Sequence, residues 1–102
     1  MKVSLVIPTL NEEQTIGQVL AQIPQDAVDE ILVIDGYSTD ATREVAAKAG
    51  VKVILQEGGK GYGRAAITGI KYAAGDIVVF LTADFSQNPQ DIPKLLAKLG
   101  EG

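Results

Sequence analysis

The sequence predicts an α/β fold: a Rossmann-like, doubly wound parallel sheet in the order βαβαβαβα. Four short apolar runs are rich in β-branched residues and nearly continuous, which is typical of strands buried on both faces of a parallel sheet. Segments with helical spacing of apolar residues separate these runs, and such alternation favours right-handed crossovers between parallel strands. At about 100–200 residues per domain, we predict one domain over residues 1–102.

The predicted strands cover residues 3–7, 31–34, 51–55 and 77–81. The first predicted helix follows the first strand, because apolar residues recur there with the spacing i, i+3, i+4, i+7. Asn11 is its predicted N-cap, and Pro24 ends it. The apolar residues are Ile16, Val19, Leu20 and Ile23.

The second helix is predicted over about residues 40–49. Ser38 or Asp40 is its predicted N-cap. Gly50 is its stop, since glycine readily adopts the left-handed conformation that ends many helices.

The third helix is predicted over about residues 64–74, ending at Gly75. Its predicted buried face consists of the larger apolar residues and the alanines beside them. These are Ala66, Ile67, Ile70, Ala73 and Ala74.

The last helix follows Asn88-Pro89, with Asp91 as a second candidate cap. Pro93 predicts an irregular first turn, since proline lacks a backbone donor. The predicted apolar face is Ile92, Leu95, Leu96 and Leu99.

Composition excludes several classes of function. The chain has no cysteine and no histidine, so it offers no disulfide, thiolate nucleophile, cysteine-based metal site or Ser-His triad. Nine basic against thirteen acidic residues give a net charge of −4, which argues against nucleic-acid binding. No apolar run reaches the roughly 18 residues that span a bilayer, and the N-terminus lacks the organisation of a signal peptide. We therefore predict a cytoplasmic location.

Polar residues concentrate in the loops that follow the predicted strands, at residues 8–13, 35–40, 56–64 and 82–88. In open α/β sheets, ligands bind outside the carboxyl ends of the strands. The connections at the opposite end are plainer, so the sequence predicts a site at one edge of the sheet.

Three features stand out in these loops. Asp35 ends an apolar strand and either accepts a hydrogen bond from a base or ribose or is a solvated strand end. The stretch from Gly58 to Gly63, followed by Arg64, either cradles a phosphate with its backbone amides and Lys60 or is a flexible surface loop. Asp84 either contributes to a divalent metal site completed by ligand phosphates or caps a turn before Ser86.

Together these loops resemble the nucleotide-sugar-binding half of the GT-A glycosyltransferases of family 2, the group that includes dolichyl- and polyprenyl-phosphate mannose or glucose synthases. The resemblance extends over essentially the whole chain. Its four marks are residues 6–13 (VIPTLNEE), 30–42 (EILVIDGYSTDAT), 59–65 (GKGYGRA) and 75–84 (GDIVVFLTAD).

The resemblance implies a nucleoside-diphosphate sugar as ligand, either a UDP- or a GDP-sugar. Base and ribose would be held by Pro8, Thr9, Asn11, Glu12 and Asp35. The donor side would be lined by Lys60, Gly61 and Arg64, followed by Ala83 and Asp84 of the Asp-x-Asp motif.

By the same resemblance, Asp84 would hold Mg²⁺ or Mn²⁺. The first carboxylate of the motif is replaced by Thr82, a weaker neutral ligand, so we expect reduced metal affinity. Gly36 is a second departure, where many relatives have another aspartate.

The resemblance also implies that residues 1–102 are a truncated GT-A-like half-domain of a longer transferase. The acceptor cleft and the general base are expected in a C-terminal half, so no catalytic residue is assigned and we expect the 102 residues alone to be inactive. Three alternatives stay open. The first is a non-catalytic α/β module that binds a nucleotide or self-associates through an exposed sheet edge as a homodimer, the second is a nucleotidyltransferase-like domain, and the third is a receiver-like phosphoacceptor domain.

Overall fold

A computed structural model of the protein describes residues 1–84 and 87–100. The longest helix among them has 11 residues, and within this described part no helix is both long and apolar enough to cross a bilayer. The elements are β1 (Val3–Thr9), α1 (Ile16–Gln22), β2 (Glu30–Asp35), α2 (Thr42–Lys48), β3 (Lys52–Leu55), α3 (Tyr62–Tyr72), β4 (Ile77–Phe80), a 3₁₀ turn (Pro89–Asp91) and α4 (Ile92–Gly100).

The four strands form one parallel sheet in the order β3-β2-β1-β4. The predicted α/β fold is therefore confirmed. After β1 the chain moves outward through β2 to β3 and then returns to the far side of β1 for β4. The strand order thus reverses beside β1, which is where ligands bind in sheets of this type.

Helices cover both faces of the sheet, which explains why the strand sequences are apolar without alternation. On one face, side chains such as Leu5 and Val33 pack with residues of α1, α2 and α4. On the other face, Val6 and Leu32 pack against Ala65 of α3. Because all strand pairs are parallel, the carboxyl ends of the four strands lie at one edge of the sheet.

The predicted buried face of α3 is wrong for its two isoleucines, although Ala73 is partly buried against the core as predicted. Ile67 and Ile70 are 51% and 59% exposed, whereas Ala65, Thr68 and Gly69 are buried. The helix lies so close to β1 that a Cβ on Gly69 would be 2.6 Å from the Cγ1 of Val6. Only small residues fit at that distance, so side-chain size rather than hydrophobicity decides which face packs.

The predicted cap of α1 is also wrong. Asn11 has a left-handed φ of 54°, and Thr15 occupies the N-cap position without a side-chain cap. The Asn11 side chain instead accepts a hydrogen bond from the backbone of Thr39 at 2.8 Å. A contact with a distant loop therefore replaces the local one.

Neither residue predicted to cap α2 is its N-cap, because Ala41 occupies that position without a side-chain cap. Asp40 still accepts from the backbone N–H of Thr42 at 3.0 Å, while Ser38 bonds to Asp35. Gly50 follows the helix with a φ of 84°, as expected of a helix stop.

The first turn before α4 is irregular as predicted. It is a 3₁₀ turn in which Asn88 accepts from the backbone of Gln90. Ile92 is buried, and Leu96 is partly buried against the core. The side chains of Leu95 and Leu99 lie outside the described part of the chain.

The close approach of α3 to β1 predicts opposite effects for two glycine substitutions in that helix. Gly69→Ala should destabilise the protein by about 1–3 kcal/mol, because the new methyl group meets Val6. Gly63→Ala is the matched control: no atom lies within 4 Å of its added Cβ, so it should stabilise by about 0.5–1 kcal/mol. Urea unfolding measures both values, and equal effects of the two substitutions would contradict this packing.

Candidate functional site

A cleft of about 480 Å³ lies at the carboxyl edge of the sheet, where the loops after all four strands converge. Eight of the ten residues predicted to bind ligand line it, and Asp35 and Arg64 do not. The eight are Pro8, Thr9, Asn11, Glu12, Lys60, Gly61, Ala83 and Asp84.

Asp35 lies beneath the cleft and is fully buried, so it is not a solvated strand end. Its Oδ1 accepts from the hydroxyls of Thr9 and Ser38 at 2.8 and 2.6 Å. Its Oδ2 accepts from the backbone of Ser38 at 2.8 Å, and Arg43 is 3.9 Å away. Because neighbouring groups already engage both oxygens, Asp35 organises the wall of the cleft in this structure. A direct contact with ligand stays a prediction.

The loops after β1 and β2 are joined by a ladder of hydrogen bonds. The backbone N–H of Asn11 donates to the Ser38 hydroxyl at 2.9 Å. The backbone N–H of Glu12 donates to the hydroxyl of Thr42, which is fully buried, at 2.8 Å. Polar groups that look like separate helix caps in the sequence therefore form one connected structure.

The loop after β4 is attached to the same structure. The Thr15 hydroxyl donates to the carbonyl of Ala83 at 2.6 Å, which brings Asp84 to the cleft beside the loop after β1. The suggestion that Asp84 caps a turn before Ser86 involves a residue outside the described part of the chain.

The glycine-rich loop leads directly into α3 and places Lys60 and Gly61 on the cleft. Arg64 has a different position: its Nε donates to the carbonyl of Glu57 at 3.4 Å. Its guanidinium covers Gly58, where a Cβ would be 2.3 Å from Nη2. Arg64 thus lies against the outside of the loop, and its predicted role on the donor side stays a prediction.

The charges of the cleft are unbalanced. Of the described residues that line it, Glu12 and Asp84 are acidic and only Lys60 is basic. Partial burial raises the pKa of Glu12 above its ordinary value, and the negative charge of Asp84 raises it further. An anionic ligand therefore needs more positive charge than these side chains supply.

A divalent cation would supply that charge, and the donor chemistry fits one held jointly with a ligand. Mg²⁺ and Mn²⁺ prefer carboxylate and phosphate oxygens. Asp84 offers a carboxylate at the cleft, with the hydroxyl-bearing Thr82 also on its wall. Over residues 1–84 and 87–100, there is no cluster of three or more acidic, histidine or cysteine side chains that would hold a metal without help.

Sequence reasoning assigned no ligand-binding role to the other eight residues of the cleft wall, among them Tyr37 and Gln56. Tyr37 has a left-handed φ of 68°, and its hydroxyl donates to the backbone carbonyl of Gln56 at 2.7 Å. Gln56 is only 4% exposed. The available signal was a polar residue directly after a predicted strand, at the edge where the site was expected.

The family model "Glycosyl transferase family 2" matches residues 4–102. An uncharacterized glycosyltransferase of Mycobacterium tuberculosis is 44% identical over 98% of this chain and 44% of its own length. The dolichol-phosphate mannosyltransferase of Pyrococcus furiosus is 38% identical over all of this chain and 31% of its own. The chain thus spans less than half of the length of these curated relatives.

A solved structure shows the same fold with ligands present. It is the glucosyl-3-phosphoglycerate synthase of Mycobacterium tuberculosis in complex with Mn²⁺, UDP and glucosyl-3-phosphoglycerate. It matches with a TM-score of 0.86 and 34% identity, over 96% of this chain and 39% of that one.

The hydrogen bonds of Asp35 predict that its removal destabilises the fold. Asp35→Ala should lower the free energy of unfolding by about 2–3 kcal/mol, since the buried hydroxyls of Thr9 and Ser38 lose a charged acceptor. Asp26→Ala, at an exposed position between α1 and β2, is the control and should change it by less than about 0.5 kcal/mol. Urea unfolding tests this, and equal stability of the two variants would contradict an organising role for Asp35.

Proposed function

Because the chain belongs to glycosyltransferase family 2, we propose that its cleft binds the nucleoside-diphosphate part of an activated sugar donor. The main support is the position of the cleft, at the reversal of strand order, with all four strand-end loops around it. The UDP held by the structurally similar synthase favours a UDP-sugar over a GDP-sugar.

Different parts of the cleft would contact the base and ribose of such a ligand and its diphosphate. Pro8, Thr9, Asn11 and Glu12 follow β1 and would contact base and ribose, with Asp35 holding Thr9 from below. On the opposite wall, Lys60 and Gly61 would face the diphosphate. The N-terminus of α3 lies directly after Gly61 and adds the partial positive charge of a helix start.

Asp84 would hold a divalent cation together with the phosphate oxygens of the donor. When bound, such a cation neutralises the charge that develops on the departing nucleoside diphosphate. The excess of carboxylates over ammonium groups in the cleft supports this requirement. Thr82 is neutral where the Asp-x-Asp motif would have a carboxylate, so metal should bind weakly until the donor is present.

The reaction of the whole protein would be an inverting sugar transfer to a lipid phosphate or a saccharide. An acceptor oxygen attacks the anomeric carbon, and the bond from that carbon to the diphosphate oxygen breaks, releasing the nucleoside diphosphate. A saccharide hydroxyl passes its proton to a general base, whereas the phosphate oxygen of a lipid acceptor is already ionised. The relatives are more than twice as long as this chain, so we place the acceptor site and base in a region beyond the donor-binding part. We retain a cytoplasmic location, at a membrane face in the full protein, as a prediction.

Family membership removes the support for a nucleotidyltransferase-like domain. A non-catalytic nucleotide-binding module would differ from a donor-binding domain in its ligand. A donor site should bind a nucleoside-diphosphate sugar, and a divalent metal should raise its affinity for that ligand.

Titration of the 102-residue protein with UDP, GDP and UDP-glucose, with and without Mn²⁺, tests the proposal. We expect micromolar to millimolar binding of a nucleoside diphosphate that tightens with Mn²⁺, and no sugar transfer.

Lys60→Ala should weaken UDP binding about tenfold, the effect of losing one charge-assisted hydrogen bond. Asp84→Asn should remove the effect of Mn²⁺.

Lys48→Ala and Asp26→Asn are the matched controls, because both residues are exposed and distant from the cleft. They should bind as the parent does. Absence of nucleotide binding at millimolar concentration, with the protein folded, would overturn the donor-site proposal.

Self-association through a sheet edge also stays a prediction. In the described part of the chain, β3 and β4 each pair with one neighbouring strand only, and Leu55 at the end of β3 is 45% exposed. A dimer in light scattering that Leu55→Lys converts to a monomer would support an interface at the β3 edge, since edge lysines oppose strand pairing. A monomeric parent would contradict it.

A further inference from the structure

The glycine-rich loop must be held in one conformation if Lys60 is to act at a fixed position. Gly58, Gly59 and Gly61 all have positive φ angles, of 82°, 121° and 101°. Glycine-rich backbone loses much conformational entropy on ordering and has no side chains to anchor it. Something outside the loop must therefore hold it.

Gln56 provides that anchor. Its Nε2 donates to the carbonyl of Gly59 at 2.8 Å and to the carbonyl of Gly61 at 3.1 Å. These two carbonyls flank Lys60, so one side-chain amide fixes the backbone on both sides of the lysine. Glu57, just before these glycines, is held separately: its backbone N–H donates to the Thr68 hydroxyl at 3.0 Å, and its carbonyl accepts from Arg64 at 3.4 Å.

Gln56 is itself held by the end of β2 and the loop after it. Its backbone N–H donates to the carbonyl of Asp35 at 2.8 Å, and its carbonyl accepts from Tyr37. The position of Gln56 is therefore fixed by the end of β2 and the loop that follows it.

Gly36 makes room for this amide. A Cβ at that position would be 3.2 Å from the Gln56 Oε1, closer than most such contacts, so a larger side chain would press against the amide. The absence of a side chain at position 36 thus leaves the space that the Gln56 amide occupies.

We propose that Gln56 is a positioning residue: its amide holds the loop from Gly58 to Gly61 so that Lys60 meets the diphosphate of the donor, and Gly36 keeps the space that the amide needs. This inference rests on the proposed function of the cleft. It assigns a role to a residue outside the sequence motifs.

Gln56→Met is the variant that tests it, because methionine keeps the approximate volume and removes both donors. Affinities for UDP and for uridine are measured by NMR titration, with folding checked by circular dichroism. UDP should bind about tenfold more weakly while uridine is unaffected, because only the diphosphate reaches Lys60. Gln18→Ala, at an exposed position on α1, should change neither affinity.

Two further measurements separate positioning from a general structural effect. Lys60→Ala should cost about tenfold in the parent but less than about twofold in the Gln56→Met background, since coupled residues are non-additive. In the ligand-free protein, ¹⁵N order parameters of Gly59 and Gly61 should fall in Gln56→Met, while those of β1 should not.

The possible failures are distinct. If the parent binds no UDP, the proposed function fails, and unchanged order parameters would separately overturn the anchoring of the loop. If the parent binds UDP and Gln56→Met binds it equally well, the positioning role alone is wrong. An equal loss for UDP and uridine would overturn it too, since it would indicate a general disturbance of the cleft.

Discussion

The buried carboxylate of Asp35 is the constraint on which the cleft depends. Burying a charge without partners is costly, and here three short hydrogen bonds from Thr9 and Ser38 offset that cost. The nearby Arg43 adds little, because it is 3.9 Å away and partly exposed. The bonded Ser38 hydroxyl also accepts from Asn11, so one charge fixes the ends of β1 and β2 and the start of both following loops.

The order of the strands brings the rigid loop after β1 together with the other strand-end loops to form the cleft. β1 lies between β2 and β4, so its loop has neighbours on both sides. Toward β2 it is attached through Ser38, and toward β4 through the hydrogen bond from Thr15 to Ala83. The glycine-rich loop after β3 completes the enclosure, with Gln56 joining it to the β2 side. The loops after β1 and β4 are thus held by residues of other segments, and the glycine-rich stretch is held by Gln56, which is itself bonded to the end of β2.

The charge of the cleft is consistent with cation-assisted binding of an anionic donor. Partial burial raises the pKa of Glu12 and the negative charge of Asp84 raises it further, so these two carboxylates repel one another. A bound cation would relieve that repulsion and attract the diphosphate. One lysine alone supplies too little positive charge, which agrees with a net charge of −4 for the chain as a whole.

The sequence alone determined the parallel α/β fold, the order of its elements and the edge at which the cleft forms. These follow from hydrophobic periodicity and turn residues, which act over a few neighbouring positions. Tertiary structure decided which face of α3 packs, because only the distance to Val6 shows that Gly69 rather than Ile67 faces the sheet. It also decided that Asp35 points to Thr9, 26 residues away, and that Gln56 holds the glycine-rich loop. Such contacts depend on strand register and loop path, which no local pattern in the sequence encodes.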